Sequence, residues 1–227
     1  MTRRYAVIAL LALASAGLQA QSWKPVFNGK NLEGWEPLGN GIWHVMQDGT
    51  LVGQRNPRRD FPQTWPLEQR PFNQWRDTQA WLYTTRDFGE YDLRLEYWLP
   101  AGGNSGISVR DPSRAKYGIT TPADFTKTPS KLGYEIQLNN QYPDKYPSGS
   151  IYTFASAKEG VQKDTEWNLL EISVRDSGLK VKLNGTLVAE HPGDPNRPKV
   201  GPIGLQLHDQ FSVVMFRKIE VREVKKP

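Results

Sequence analysis

Glu135, Gln137 and Asn139 stand at alternate positions of the stretch Gly133-Tyr134-Glu135-Ile136-Gln137-Leu138-Asn139-Asn140. A carboxylate in register with two amides offers the donors and acceptors that sugar hydroxyls need. Successive side chains of an extended chain point to opposite faces, so these residues share one face while Tyr134, Ile136 and Leu138 share the other. The alternative is an ordinary polar outer face, although such faces more often carry Thr, Lys, Ser and Arg. Two other segments repeat the pattern. In Ile107-Ser108-Val109-Arg110 the polar pair is Ser108 and Arg110, and in Ile203-Gly204-Leu205-Gln206-Leu207-His208 it is Gln206 and His208. If the segments are neighbours in one sheet, their outer faces form a concave patch with one acid, one imidazole, one guanidinium and several amides, the make-up of a ligand site. Glu135, His208 and Arg110 are then the candidate catalytic groups. His44 and His191 have no such company and read as structural.

A glycosidase ordinarily needs two carboxylates about the scissile bond. The strand pattern offers only Glu135, and the E-x-D-x-x-E spacing of some sandwich-fold glucanases is absent because Gln137 and Asn139 follow it. This leaves a sugar-binding module, or an enzyme whose substrate is easier to cleave.

The elements that position these groups read as strands. Ile42–Met46, Thr50–Val52, Ala80–Thr84, Tyr91–Leu99, Ser150–Phe154, Trp167–Arg175 and Val213–Val224 are short alternating or β-rich runs, and Leu179–Ala189 is a hairpin centred on Asn184-Gly185. Trp35, Trp43 and Trp81 read as core anchors. Three irregular segments interrupt the strands: Arg55–Asp77, rich in Pro, Arg and Trp; Lys116–Lys131, directly before the Glu135 strand; and Gln141–Ser148. Loops at strand ends are where specificity is usually carried, and a ring of the first is a candidate for stacking on a sugar.

No helical period follows residue 20, and 17 prolines, 20 glycines and 11% aromatics accompany the short segments. This composition favours an all-β single domain over residues 21–227. Residues 1–20 have the form of a cleavable signal peptide, with Arg3 and Arg4, the apolar run Ala6–Ala14, and Leu18-Gln19-Ala20 before Gln21. The expected location is the periplasm or the medium, with no membrane anchor. Without cysteine there is no disulfide framework and no lipid-bearing thiol. The formal net charge of +5 is spread along the chain, with no basic run and no nucleic-acid-binding motif, so nucleic acid is not an expected partner.

The motifs FNGKNLEGW (27–35), GGNSGISVR (102–110), GYEIQLNN (133–140), GSIYTFA (149–155), EWN (166–168), LNGTLV (183–188), GPIGLQLHD (201–209) and FRKIEV (216–221) together resemble the 3-keto-disaccharide hydrolase family of secreted bacterial proteins. The resemblance implies a concanavalin A-like jelly-roll sandwich of two antiparallel sheets with long decorating loops. It places Asn104, Ser105 and Arg110, Glu135 and Gln137, Tyr152, Gln206 and His208 around a saccharide pocket, with Asn139 beside them. Asn139 stands where many members have Asp, Asp209 where many have Gly, and Lys218 where many have Asn. The implied chemistry accounts for a lone acid. A carbonyl at C3 acidifies the C2 hydrogen, so a single base can remove it and the C1 substituent can leave by β-elimination; hydration completes net hydrolysis. Either Glu135 or His208 is the base and the other the acid, with Arg110 and the amides facing the enolate. No cofactor is required, a divalent cation being an alternative electrophile. A partner oxidoreductase would supply the 3-keto sugar, and a non-catalytic lectin-like module is the rival reading.

Overall fold

The computed structural model describes residues 22–56, 79–120, 124–140, 144–208 and 212–224. The signal-peptide segment, and the Arg55–Asp77 loop from residue 57 on, lie outside the described residues. The strands are β1 (Lys24–Pro25), β2 (Trp35–Leu38), β3 (Gly41–Val45), β4 (Leu51–Arg55), β5 (Ala80–Thr84), β6 (Tyr91–Trp98), β7 (Asn104–Val109), β8 (Tyr134–Asn139), β9 (Asn168–Arg175), β10 (Gly178–Leu183), β11 (Thr186–His191), β12 (Ile203–Leu207) and β13 (Val213–Glu223). The only helical pieces among the described residues are a 3-10 turn at Phe125–Lys127 and α1 (Pro129–Leu132).

The strands form two antiparallel sheets, as the jelly-roll reading expects. The large one is 8-stranded, in the order β11-β10-β9-β6-β13-β4-β3 with β1 on β13; the small one is 5-stranded, in the order β2-β5-β12-β7-β8. Alternation explains the packing. In β6 the residues Tyr91, Leu93, Leu95 and Tyr97 are buried and the intervening Asp92, Arg94, Glu96 and Trp98 are half-buried, so this sheet has a dry face and a wetter one. Its apolar side meets Leu82, Ile107, Val109, Tyr134, Ile136, Leu138, Ile203, Leu205 and Leu207 of the small sheet in one core.

Local chemistry sets the turns. Asn184 (φ 50) and Gly185 (φ 81) occupy the centre of the β10–β11 hairpin, the left-handed pair that a type I′ turn requires. Lys218 (φ 53) sits in the bulge where β13 shifts register against β6, a conformation that Asn accepts more readily than Lys. Ser150–Phe154 is not a strand: Ile151 makes only isolated bridges to Ile136 and Ala155, and Thr153 at φ 68 turns the chain back. Trp35 joins the core, and Trp81 anchors a second, smaller one. It stacks on Tyr83 at 5.5 Å on the outer side of the small sheet, beneath Ala115 and Ile119.

Four strands of the small sheet, β5, β7, β8 and β12, are therefore buried on both sides, with no exposed position. The sheet's outer face is covered by the segments before and after β8. Gly133 brings α1 close to β7, because a Cβ there would lie 2.6 Å from both Asp111 N and Val109 O. Those are backbone atoms that cannot swing aside. Gly133→Ala should destabilise the fold by about 1–3 kcal/mol, seen as a lower urea midpoint; an unchanged midpoint would show that α1 does not dock as described.

Candidate functional site

Strand register lays out the outer face of the small sheet in rows. Tyr83, Gly204, Ser108 and Glu135 form one row through successive pairings of β5, β12, β7 and β8. Trp81 pairs with Gln206, Gly106 pairs with Gln137, and the Leu205–Ile107 pair sets Gln206 beside Gly106, which gives the second row. Asn104 pairs with Asn139 in the third, and His208 follows directly on β12. The side chains differ in size for a steric reason. A Cβ on Gly106 would lie 2.7 Å from Glu135 Oε1 and 3.1 Å from Gln206 Oε1, so the missing side chain is the space in which the carboxylate and the amide face each other. Gly204 in the same way leaves room for the Tyr83 ring.

Above this floor is a cavity of about 350 Å³. Glu135, Gln137, Asn104, Gln206 and His208 face it from the sheet; Tyr152, Thr153 and Asp144 stand on one wall, and Phe125, Thr128, Ser130 and Lys131 on another, with Gln79 beside β5. Gln137 Nε2 donates to Asn104 Oδ1 at 3.3 Å. The Gln206 amide is fully buried, and neither its nitrogen nor its oxygen has a hydrogen-bond partner of ordinary geometry among the described residues. A buried polar group left in this state, aimed into a cavity, is a receptor for a ligand's hydroxyl or carbonyl.

Glu135 is the group most altered by its setting. It is only 6% exposed, and burial pushes its carboxyl up to about 7, opposed by the facing Gln206 amide and assisted by the negative charges of Asp144 and Asp111. Asp111 is itself buried, with its carboxylate held by Ser113 N (3.0 Å), Ser113 Oγ (2.7 Å), Ala115 N (2.9 Å) and Tyr83 Oη (3.4 Å). The backbone of Tyr152 is fixed to that of Glu135 by a 2.8 Å bond from Tyr152 N to Glu135 O. Burial, then the charges of Asp144 and Glu135, push the Tyr152 hydroxyl up to about 12, so it stays a donor at neutral pH.

Of the residues expected at the site, Glu135, His208, Gln206, Gln137, Asn104 and Tyr152 share the cavity; Arg110, Ser105 and Asn139 do not line it. Arg110 takes φ 60 just past β7, which breaks the alternation that would have placed it beside Glu135. Its guanidinium is buried and donates to the carbonyls of Arg175 (3.0 Å) and Gly89 (3.3 Å) and to Asp176 Oδ1 (3.0 Å). It pins the loop that joins β9 to β10. Ser105 faces inward, donating to Gln206 O at 2.8 Å, and so fixes the strand that carries the amide. Asn139 is tied to the following loop: its N–H donates to Ser148 Oγ at 2.7 Å and its Nδ2 to Tyr146 O at 3.4 Å. Phe125, Lys131 and Asp144 are among the members that strand alternation missed, because they come from segments without a period. Asp144 also gives the cavity a second carboxylate that the strand pattern lacked.

Among the described residues no group of three or more His, Cys, Asp or Glu side chains is placed to hold a metal ion. Two other hollows, of about 300 and 250 Å³, lie along β9 and β10. Several of their charged wall residues are paired, Asp92 with Arg175 and Arg222 and Lys180 with Glu190.

A family profile described as a 3-keto-alpha-glucoside-1,2-lyase-like domain matches residues 22–222. No curated protein matches the sequence. Two solved proteins of Parabacteroides distasonis, each provisionally described as a glycosyl hydrolase, share the fold. One has 20% identity and a TM-score of 0.65, covering 89% of this chain and 94% of its own. The other has 23% identity and a TM-score of 0.64, covering 89% and 100%. The carbohydrate-binding module CBM66 of Bacillus subtilis has 12% identity and a TM-score of 0.52, covering 84% and 96%. At these identities the likeness is one of fold; the carbohydrate connection rests on the family profile.

The raised carboxyl has a consequence for stability. Folding lifts Glu135 from its usual 4.5 to about 7, so its protonated form is favoured in the folded state. That contribution is fully present below about pH 4.5 and is lost as pH rises through about 7, at most about 3 kcal/mol in all. Glu135→Gln removes the titrating group and should flatten this part of the profile, leaving the variant more stable than wild type at pH 8 in urea unfolding. Parallel profiles for the two proteins would show that Glu135 is not desolvated.

Proposed function

Because the chain belongs to the 3-keto-alpha-glucoside-1,2-lyase-like family, we propose that it is an exported enzyme that cleaves the glycosidic bond of 3-keto-glucosides and 3-keto-disaccharides. The observation that carries this reading is the buried Glu135 carboxyl, held near neutrality on the cavity floor. A base is most effective when its pKa lies close to the working pH. A carboxylate of ordinary pKa would give proton abstraction from carbon a smaller driving force.

In the proposed reaction Glu135 takes the proton from C2 of the sugar, made acidic by the neighbouring C3 carbonyl. The electron pair moves into the C2–C3 bond and onto the C3 oxygen, giving an enolate. The amides of Gln206, Gln137 and Asn104 take the stabilising role that Arg110 cannot fill, and Lys131 supplies positive charge on the wall. The enolate reforms the carbonyl and expels the C1 oxygen, which His208 protonates as it leaves. The product at this stage is an unsaturated keto sugar. Water added at C1, with a proton returned to C2, completes net hydrolysis; release before that step is lyase chemistry.

The C3 carbonyl has to be made by oxidation of a secondary alcohol, so an oxidoreductase acting on the intact glycoside is the implied functional partner. The fold is shared with carbohydrate-binding modules, which supports a binding-only alternative. Against it, a module that only binds gains nothing from a desolvated carboxyl that opposes folding above neutrality. Asp144 beside Glu135 supports plain two-carboxylate hydrolysis as a further rival, and substrate choice separates the two.

Wild type should release the aglycone from a 3-keto-glucoside and leave the unoxidised parent intact, with a rate that rises through about pH 7 as Glu135 loses its proton. Glu135→Gln and His208→Ala should each lower kcat/KM at least about a hundredfold. Equal cleavage of the parent would favour two-carboxylate hydrolysis, and near-normal rates in both variants would remove the assignment.

A further inference from the structure

The floor of the cavity is polar: Glu135, Gln137, Asn104, Gln206 and His208. Such a floor satisfies the hydroxyls of one sugar ring, yet offers no flat apolar surface to the group that departs from it. Phe125 offers one. It lines the same cavity and is 48% exposed, and it is the only aromatic side chain among the large exposed hydrophobic residues described.

A single exposed apolar side chain needs no explanation by itself. Phe125 differs because its backbone is fixed. Asp124 caps the 3-10 turn, accepting from Thr126 N at 3.0 Å and Thr126 Oγ1 at 2.6 Å, and its own N–H donates to Tyr117 O at 2.9 Å. Lys127 pairs with Asp124 at 3.4 Å and lies 5.0 Å over the Tyr117 ring. The chain then passes into α1, where Arg197 Nη1 donates to Ser130 O at 2.8 Å and ties the wall to the sandwich. The phenyl ring thus stands on a braced wall and faces the cavity instead of folding into the core. Since α1 runs through Gly133 straight into β8, this wall rises at the end of the floor nearest Glu135. In the proposed reaction that end holds C2, and the departing group on C1 is next to it.

We infer that Phe125 is the stacking platform of a leaving-group subsite, and that the group it receives presents a ring face, either an aromatic aglycone or the C–H face of a second pyranose. The inference rests on the reading of the cavity as a glycoside-cleaving site. Phe125 acts here by binding, so its contribution belongs in KM and depends on what the C1 substituent is.

The test compares wild type, Phe125→Ala and Phe125→Tyr on 3-keto-glucosides bearing methyl, phenyl or glucosyl at C1, with NMR titration of the unoxidised parents as a measure that does not need turnover. In Phe125→Ala the phenyl-over-methyl ratio of kcat/KM should fall about three- to tenfold, mainly through KM. Phe125→Tyr, which keeps the ring, should retain it. A glucosyl substrate that follows phenyl assigns the platform to pyranose faces as well; one that follows methyl assigns it to aromatic aglycones. An unchanged ratio in Phe125→Ala, or a Tyr variant as impaired as the Ala variant, would overturn the inference. If wild type releases nothing from any keto sugar, the functional reading fails separately, and the same ratio is then read from dissociation constants. Equal loss of affinity for phenyl and methyl parents, or no saturable binding to wild type, would overturn the subsite too.

Discussion

Burying one carboxyl on the outer face of the small sheet sets the terms for everything around it. Glu135 lies on a strand with no exposed position, and its carboxylate faces Gln206 only because position 106 has no side chain. A charge moved out of water resists ionisation. Neighbouring Asp144 and Asp111 add to that resistance instead of relieving it. The segments that cover the face therefore do more than protect a sheet edge. Their burial of Glu135 converts an ordinary acid into a group that can exchange a proton near neutrality.

Several polar groups of the scaffold around Glu135 are held by hydrogen bonds. Asp111 is surrounded by donors, Arg110 spends its guanidinium on two carbonyls and Asp176, and Ser105 holds the backbone of Gln206. The large sheet contributes its apolar face to the core and keeps its ions in pairs on the other side, such as Arg94 with Glu220 and Arg217 with Glu96. Among the described residues Gln206, which faces Glu135, has both side-chain polar atoms buried without a hydrogen bond of ordinary geometry, and Asn40, Trp43, Tyr91, Ser108, Arg110 and Asn140 have one such atom each. What distinguishes Gln206 is that it lines the cavity, where a ligand can supply the missing partner.

Much of this was legible in the sequence, and the exceptions have physical causes. Alternation identified β5, β6, β8 and β12 closely and put Glu135, Gln137 and Gln206 on one face, because period-2 patterning holds wherever backbone dihedrals stay extended. Arg110 escaped the rule through a single residue at φ 60, which rotates its side chain away from the face that parity assigns. Ser105 has the parity of Ile107 and so points inward; its place at the pocket came from the family resemblance alone. Trp81 is a core anchor as expected, but of a second apolar cluster on the outer face of β5, beneath the loop after β7. Phe125, Lys131 and Asp144 were beyond periodicity altogether. Loops acquire position from caps and tertiary anchors such as Asp124 and Arg197, and neither leaves a repeating signal.

The central claim is that the cavity removes a proton from carbon. Wild-type protein incubated with a 3-keto-glucoside in D₂O, followed by NMR at C2, tests it most directly. The account predicts loss of the C2 hydrogen in step with aglycone release, as deuterium at C2 where hydration follows and as a C1=C2 double bond where it does not, and loss of both changes together in Glu135→Gln. Aglycone release with the original C2 hydrogen retained would contradict it.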